Sequence, residues 1–360
     1  METVIIPDHP IVLGIPRKPM RDAVASICDW LATKAHRRVV GFSWAVGYTL
    51  CGKTILAKAK RYLTDAGVLK LYATAVPKHL VAEFQVSFPQ CAWKIHRLET
   101  VAGRKRRTTR CEARICDLTA SAREQVVNLM FGVGTQQEAA QSLTEPITGE
   151  ESYWLLAAIS GSWCASQDRW GRLYTPWTQM KREYRGYWRF DGEPVGKVDV
   201  VSCTPLIAAA IARNAGWRDE RFLEDCESGG LYSVLEYDTG FSREAVKNQT
   251  LRYLNNLTPR EHDGFVQVFE AKYPVFAEWL RGHKAGGQGA YTLVIPAESK
   301  IMLDAAASLV REGITVATIH DAVLAPASQM QAVEEAVGLL MRRNLDLNPT
   351  FTQEVCAFDR

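Results

Sequence analysis

Two aspartates within apolar, strand-like segments constrain this chain more than any other feature of its sequence. Asp199 lies in VDVVSCTPLIAAA at 198–210, and Asp321 lies in ITVATIHDAVL at 314–324, directly after His320. A carboxylate in such a segment is costly to bury unless it is paired or bound to a metal. Two carboxylates from different strands are able to converge on divalent metal ions, an arrangement used in phosphoryl and nucleotidyl transfer.

A pair of cations lies between these aspartates in the sequence. The segment FSREAVKNQTLRYLNN at 241–256 is predicted to be helical, and it carries Arg243 and Lys247. Because the two residues are four positions apart, they share one helix face and can reach the same anion. Each charged residue taken singly also fits a cap, an ion pair or a solvated surface. The ordered set favours a common site for a nucleoside triphosphate.

The order of these motifs resembles that of the family A DNA polymerases and of the related single-subunit RNA polymerases of phages and mitochondria. Asp199 corresponds to the aspartate of motif A, Arg243 and Lys247 to the fingers helix of motif B, and His320-Asp321 to motif C. Upstream, Asp168-Arg-Trp-Gly171-Arg172 is similar to the element that holds template and primer. The resemblance covers roughly residues 165–330.

The resemblance implies a role for each group of residues. Asp199 and Asp321 are expected to bind two Mg²⁺ (or Mn²⁺) ions, and His320 either positions the primer end, braces Asp321 or is an ordinary core histidine. The residues expected to bind the nucleotide are Arg243, Lys247, Tyr253 and Thr204. The residues expected to bind nucleic acid are Arg172, Lys181, Arg182 and Arg185.

Departures from the family pattern indicate which reaction to expect. Thr204 stands where the DNA polymerases have a glutamate that excludes ribose, and Ala322 stands where they have a second acid. Both features favour ribonucleotide tolerance, so we predict a primase or primase-polymerase. A small family A-like DNA polymerase of a mobile element or phage is the alternative within this class. Outside it, a DNA-binding replication initiator or a P-loop NTPase without polymerase activity stays open.

Basic residues concentrate in two stretches, 94–114 and 169–189, although the formal net charge is only +3. Such clustering indicates a polyanionic partner, although most charge runs are simply solvated surface. In the first stretch, the tip of a predicted β-hairpin carries Arg104, Lys105, Arg106 and Arg107. Two predicted helices precede this hairpin, so the order resembles a winged helix, whose hairpin contacts the DNA backbone.

These patterns together predict an α+β fold. Residues 1–120 are expected to form a winged-helix-like module with a basic β-hairpin that binds nucleic acid. Residues 121–360 are expected to form a right-hand polymerase core. Its helical thumb would cover about 121–165, and its palm and reduced fingers about 166–360. The expected partners are a DNA or RNA template and primer, nucleoside triphosphates, and a replicative helicase or single-strand-binding protein.

The cysteines and the apolar segments indicate the compartment. The nine cysteines include no Cys-x-x-Cys, which favours reduced thiols in a cytosolic protein. No apolar run approaches the roughly 18 residues that a membrane helix needs, so no membrane association is expected. The predicted location is the cytoplasm of a bacterial or phage-infected cell.

The segment from Gly47 to Thr54 matches the P-loop pattern G-x-x-x-x-G-K-[ST]. In a working P-loop the lysine contacts the β- and γ-phosphates. The sequence that follows indicates antiparallel strands rather than the parallel βα units of a P-loop domain, which favours a chance match. Both interpretations stay open.

The Lys53→Ala variant separates these two interpretations. We expect unchanged nucleotide incorporation and unchanged ATPase activity, because a chance match has no phosphate to bind. The measurement is phosphate release beside primer extension, for the variant and the original chain. A large loss of ATP hydrolysis in the variant would establish a working P-loop.

Overall fold

The computed structural model describes residues 3–7, 10–32, 40–43, 50–51, 53–73, 81–86, 93–131, 150–160, 163–256 and 264–356. This part of the chain contains both helices and sheets, as the predicted α+β class requires. Of the P-loop-like segment, Gly47 and Gly52 lie outside the described residues. None of the helices in the described ranges is both long and apolar enough to cross a membrane.

The helices are numbered in chain order. They are α1 (Pro10–Leu13), α2 (Lys18–Ala32), α3 (Lys53–Asp65), α4 (Val101–Cys116), α5 (Ala120–Phe131), α6 (Glu150–Ser160), α7 (Pro176–Gln179), α8 (Cys203–Asn214), α9 (Glu220–Glu227), α10 (Leu231–Thr239), α11 (Arg243–Asn255), α12 (Gly264–Lys272), α13 (Pro274–Ala285), α14 (Tyr291–Arg311) and α15 (Met330–Leu345).

The strands are numbered in the same way. They are β1 (Thr3–Pro7), β2 (Val40–Ser43), β3 (Leu69–Ala73), β4 (Val81–Val86), β5 (Trp93–Arg97), β6 (Ser166–Gln167), β7 (Leu173–Tyr174), β8 (Arg189–Phe190), β9 (Glu193–Val200), β10 (Ala317–Ile319), β11 (Ala322–Pro326) and β12 (Phe351–Val355). Short 3₁₀ turns cover Arg182–Tyr187 and Ala327–Gln329.

The chain divides into two compact units. The first unit comprises Met1–Leu118, Thr135–Ser166 and Tyr174–Tyr187. The second unit comprises Thr119–Gly134, Gln167–Leu173 and Trp188–Arg360. The first unit therefore includes segments beyond residue 120. The expected division at that residue, and the thumb at 121–165, stay predictions.

In the first unit, α2 supplies much of a buried apolar core. Its Val24, Ile27 and Leu31 side chains are fully buried, as are Leu56 and Leu63 of α3. These positions recur at helical spacing, which explains why both segments form helices that pack on one face. Strand β1 pairs antiparallel with β5, and β4 lies between β2 and β3.

The predicted basic hairpin is wrong, because residues 101–116 form helix α4. Thr100 caps its start, and its hydroxyl accepts a hydrogen bond from the Gly103 amide at 3.0 Å. The Arg, Lys, Ala and Glu residues that follow are good helix formers, so the run continues through the segment expected to be a strand. The β-hairpin that would serve as the wing of a winged helix is therefore not formed by residues 101–116.

Two of the four basic residues expected at the hairpin tip are bound within the first unit. Arg104 donates hydrogen bonds to the carbonyls of Leu98 and Glu99 at 2.9 and 3.1 Å. Arg107 is buried and donates to Asp29 at 2.7 Å. The expected contact of Arg107 with nucleic acid is therefore wrong, because this buried group stabilises the fold, whereas contact by the half-buried Arg104 stays a prediction. Lys105 is exposed and Arg106 is half-buried, so nucleic-acid contact by these two stays a prediction.

The expectation that every cysteine is a reduced thiol is also wrong for one pair. Cys111 of α4 and Cys164 form a disulfide with a Cα–Cα distance of 5.3 Å. Their sequence separation is 53 residues, so no short motif pointed to the pair. Among the described cysteines outside this pair, Cys28, Cys51, Cys203 and Cys226 are buried.

The second unit is built on an antiparallel sheet of strand order β10-β11-β9-β12, and β8 also pairs with β9. Val198 and Val200 of β9 are buried in the core with α8, α14 and α15. Lys197 and Asp199 alternate with them and are partly exposed. Because side chains of a strand alternate between faces, one face of β9 is apolar and the other carries charge.

We expect the Asp29→Ala variant to lower the free energy of unfolding by about 3–5 kcal/mol, because it leaves Arg107 buried without a counter-charge. Asp29 also accepts a hydrogen bond from the Tyr153 hydroxyl at 3.0 Å. Chemical denaturation measures the change. The control is Lys18→Ala, since Lys18 is 69% exposed and its pair with Glu99 at 3.7 Å should contribute little. Equal effects of the two variants would contradict the prediction.

Candidate active site

The pairing of β9 with β11 brings the two aspartates to the same end of the sheet. Asp199 is the cross-strand partner of Ala322, and Asp321 directly precedes Ala322 in the chain. The Val200 amide donates to the carbonyl of Asp321 at 3.4 Å, which extends the ladder to this residue. Residues 199 and 321 are 122 positions apart along the chain, and their proximity depends wholly on this register.

Backbone in the left-handed region lies beside each aspartate. His320 has φ +55°, in a two-residue turn whose flanking residues Ile319 and Ala322 pair with each other. Ser202, three residues after Asp199, has φ +52° at the start of α8. Such conformations cost a non-glycine residue about 1–3 kcal/mol and cluster at functional sites. Both turns set the direction of the backbone on either side of the acidic pair.

The acidic pair and the cationic pair line one open cleft of about 520 Å³. It contains five of the residues that the sequence predicted for catalysis and nucleotide binding, namely Asp199, Asp321, Arg243, Lys247 and Thr204. The lining also includes residues that the sequence did not predict, among them Ser202, Tyr232, Leu251 and Thr352. The cleft therefore presents carboxylates and cations to one shared volume.

Arg243 is held at the start of α11 by residues of α10. Its Nη1 donates to the Ser233 hydroxyl at 2.7 Å, and its amide donates to Glu236 at 3.1 Å. The guanidinium also lies 6.0 Å from the centre of the Tyr232 ring. Lys247 follows one turn later and is exposed. These contacts orient Arg243 while both cationic groups remain accessible from the cleft.

The acidic side of the cleft has perturbed electrostatics. Burial raises the pKa of Asp321 above its ordinary value, and the nearby charge of Asp199 raises this pKa further. Lys197 and Arg172 partly oppose the shift. A carboxylate that is difficult to ionise beside another carboxylate marks a place where a cation would be stabilised.

A third carboxylate, Glu298 of α14, belongs to the same electrostatic cluster. Its Oε1 accepts hydrogen bonds from Nε and Nη2 of Arg172 at 3.1 and 2.8 Å. Burial nevertheless raises the pKa of Glu298 to about 7, because it outweighs the Arg172 charge, and Asp321 and Asp199 add to the shift. Arg172 is thus fixed beside the acidic pair, on the side of the second unit that carries α14.

The carboxylates of the cleft suit a divalent cation that takes its other ligands from a substrate and water. Within the described ranges, no group of three or more His, Cys, Asp or Glu side chains could hold a metal ion. Asp199 and Asp321 are the two carboxylates that the sheet presents to the cleft, and Glu244 of α11 is a third carboxylate in its lining. Mg²⁺ is commonly bound by one or two carboxylates together with substrate phosphates and water, and the sheet supplies two.

Tyr253 does not reach the cleft. Its side chain is buried, its hydroxyl donates to Glu270 at 2.7 Å, and its ring centre lies 4.8 Å from that of Phe269. The expected contact of Tyr253 with the nucleotide is therefore wrong, because this face of α11 points into the apolar core. Leu251, two residues earlier, lines the cleft instead.

The remaining predicted residues lie outside the cleft lining. His320 is half-buried in the turn before Asp321, and Arg172 is bound to Glu298. Lys181, Arg182 and Arg185 belong to the first unit, where Lys181 and Arg182 are exposed and Arg185 donates to the carbonyl of Met180 at 3.4 Å. Their contact with nucleic acid stays a prediction.

Some residues of the site left a signal in the sequence and others left none. Lys197 is two positions before Asp199, so a strand necessarily places both on one face. Thr352 is the cross-strand partner of Asp199 in β12, and Glu298 meets Arg172 across 126 residues. Long-range pairs of this kind have no local pattern by which they could be recognised.

Comparisons with known proteins do not identify a family for this chain. No protein-family model matches the chain, and no curated protein matches it. A solved structure that is similar to it is the POL domain of Pol1 from M. smegmatis in complex with DNA primer-template and dNTP, at 12% identity and a TM-score of 0.39. The match covers 69% of this chain and 65% of that one.

The Glu298→Gln variant tests the buried carboxylate through the pH dependence of stability. The folded pKa of about 7 exceeds the ordinary value of 4.5, so the folded protein binds more protons between these values than the unfolded chain does. As pH rises through this window, the original chain should lose on the order of 1–3 kcal/mol of unfolding free energy relative to the variant. Urea denaturation at pH 4.5 to 8 measures the difference. If the original chain instead gains stability relative to the variant as pH rises, the charge of Arg172 lowers the pKa of Glu298 more than burial raises it.

Proposed function

We propose that this protein catalyses template-directed nucleotidyl transfer by a two-metal mechanism and acts as a primase or primase-polymerase. The observation that carries the proposal is the cleft in which Asp199 and Asp321 lie with Arg243 and Lys247. Carboxylates for metal and cations for polyphosphate are the two charge requirements of this reaction. The register of β9 and β11 supplies the first, and the helical spacing within α11 supplies the second.

The cationic pair is proposed to hold the triphosphate of the incoming nucleotide. Arg243 is oriented by Ser233, which supports binding of the planar guanidinium to phosphate oxygens in a preferred direction. Lys247 lies one turn along the same helix and also lines the cleft, so it would act as a point charge on the same group. Together they stabilise the negative charge that develops on pyrophosphate as it leaves.

The acidic pair is proposed to hold two Mg²⁺ or Mn²⁺ ions. Bound there, the metal would activate a terminal 3′-hydroxyl and stabilise charge on the phosphate that it attacks. Asp199 and Asp321 orient the site because the β-ladder fixes their backbones. The half-buried His320 would brace the turn that presents Asp321.

Thr204 supports tolerance of ribonucleotides. Its side chain lines the cleft in the first turn of α8, close in sequence to Asp199. A short side chain leaves space for a 2′-hydroxyl and offers a hydroxyl group to it. A chain that accepts ribonucleotides in this way suits the synthesis of primers.

Template and primer are proposed to approach the cleft beside Arg172. Glu298 holds this guanidinium through one carboxylate oxygen, and 24% of the Arg172 side chain stays exposed, which leaves donors for a phosphate or a base edge. Within the first unit, exposed Lys105, Lys181 and Arg182 are proposed to contact the phosphate backbone of nucleic acid independently of its sequence.

The experiment is a gel assay that compares the original chain with Asp321→Asn on a single-stranded template in the presence of Mg²⁺. It is run with and without a primer, and with ribonucleotides and deoxynucleotides separately. We expect product without a primer from ribonucleotides, and a loss of about 100-fold or more in the variant, because one carboxylate charge is removed from the metal.

The matched control is Asp304→Asn, a second-unit aspartate that bonds to Ser121 and Lys300 outside the cleft. It should retain normal synthesis. Product from deoxynucleotides and a primer alone would instead identify a DNA polymerase of the mobile-element type. Normal synthesis by Asp321→Asn would refute the proposed metal site, and binding of nucleic acid without synthesis would favour a replication initiator.

A further inference from the structure

A lysine is bound to one carboxylate of the acidic pair. Nζ of Lys197 donates a hydrogen bond to Oδ2 of Asp199 at 2.6 Å, and both side chains are half-buried, at 20% and 31% exposure. The two residues lie two positions apart on β9, on the face opposite to the buried Val198. Lys197 does not line the cleft, so its ammonium reaches Asp199 from beside it.

An ammonium and a divalent cation compete for the same carboxylate. Asp199 and Asp321 carry at most two negative charges, and Lys197 neutralises one of them. Glu244, the other carboxylate of the lining, stands next to Arg243 on α11, where the charges of Arg243 and Lys247 outnumber it. Glu298 adds little, because Arg172 is bound to it. A site with so small a net charge attracts a free divalent cation weakly, whereas a triphosphate brings both further ligands and further negative charge.

We propose that Lys197 is an internal counter-ion of the metal site, which keeps Asp199 neutralised until a divalent cation enters together with the nucleoside triphosphate. The inference rests on the proposed function, because it takes Asp199 as a metal ligand. The lysine thereby makes cation binding dependent on substrate. The free protein does not hold its cation in advance.

The displaced ammonium has a second carboxylate nearby. Glu354 of β12 is the cross-strand partner of Lys197 and therefore lies on the same face of the sheet. Directly opposed residues in antiparallel strands have Cβ atoms about 4.5–5.5 Å apart, within reach of a lysine side chain. Movement of Nζ from Asp199 toward Glu354 lets the metal ligand become free without leaving the ammonium unpaired.

The test measures Mn²⁺ binding to the protein alone, by electron paramagnetic resonance of the free ion, without nucleotide or nucleic acid. Lys197→Met removes the competing charge and should tighten Mn²⁺ binding by roughly 3- to 10-fold. Lys197→Gln keeps a hydrogen-bond donor without charge and should behave in the same way. Thermal unfolding checks that each variant is folded.

The matched control is Lys272→Met. Lys272 forms a pair with Asp238 at the same 2.6 Å and with similar exposure, 11% and 28%, but neither residue lines the cleft. Its removal should leave Mn²⁺ binding unchanged. Asp199→Asn should weaken Mn²⁺ binding in the Lys197→Met background, which places the tightened site at this carboxylate.

The outcomes separate this inference from the proposed function. Mn²⁺ affinity that is equal in the original chain and both Lys197 variants overturns the inference, even if synthesis depends on Asp321 as proposed. The absence of measurable Mn²⁺ binding to folded Lys197→Met also overturns it. Tighter binding in both Lys197 variants upholds it, even if no nucleotide is incorporated under any condition.

Discussion

The antiparallel pairing of β9 with β11 is the interaction on which the cleft depends. It places Asp199 beside the turn that carries Asp321, although these residues are far apart in sequence. A shift of one residue in this register would turn Asp199 toward the core and would expose Val198 and Val200. Burial of Val198 and Val200 therefore fixes which way Asp199 points, because only this orientation of β9 keeps both valines in the core.

The electrostatic design of the second unit follows from that pairing. Two carboxylates brought together by a backbone ladder repel each other, and burial adds to the free energy of ionising Asp321. Lys197 and Arg172 reduce this cost from two sides, the first through Asp199 and the second through Glu298. The cluster is thus a set of charges held close together by the fold, with cations opposite them in the cleft.

Charge in the first unit has a different use. There the basic helix α4 turns Arg107 inward to a buried aspartate and uses Arg104 to bind backbone carbonyls. An excess of arginine in a sequence therefore indicates neither exposure nor a polyanionic partner by itself. Half of the residues expected to bind nucleic acid at this position stabilise the packing of the unit, and the distinction depends on Asp29, 78 residues away from Arg107.

The sequence by itself determined the local features of this protein. Helical spacing placed Arg243 and Lys247 on one face of α11, and the apolar segments around Asp199 and Asp321 predicted strands that end or turn at a carboxylate. Tertiary structure alone decided which separated residues meet, because such contacts leave no periodic pattern. It assigned Glu298 to Arg172 and turned Tyr253 into the core. The hydroxyl of Tyr253 there meets Glu270. Helix α4, which stands in place of the predicted hairpin, follows instead from local sequence, because the Thr100 cap and the helix-forming run beyond it favour a helix.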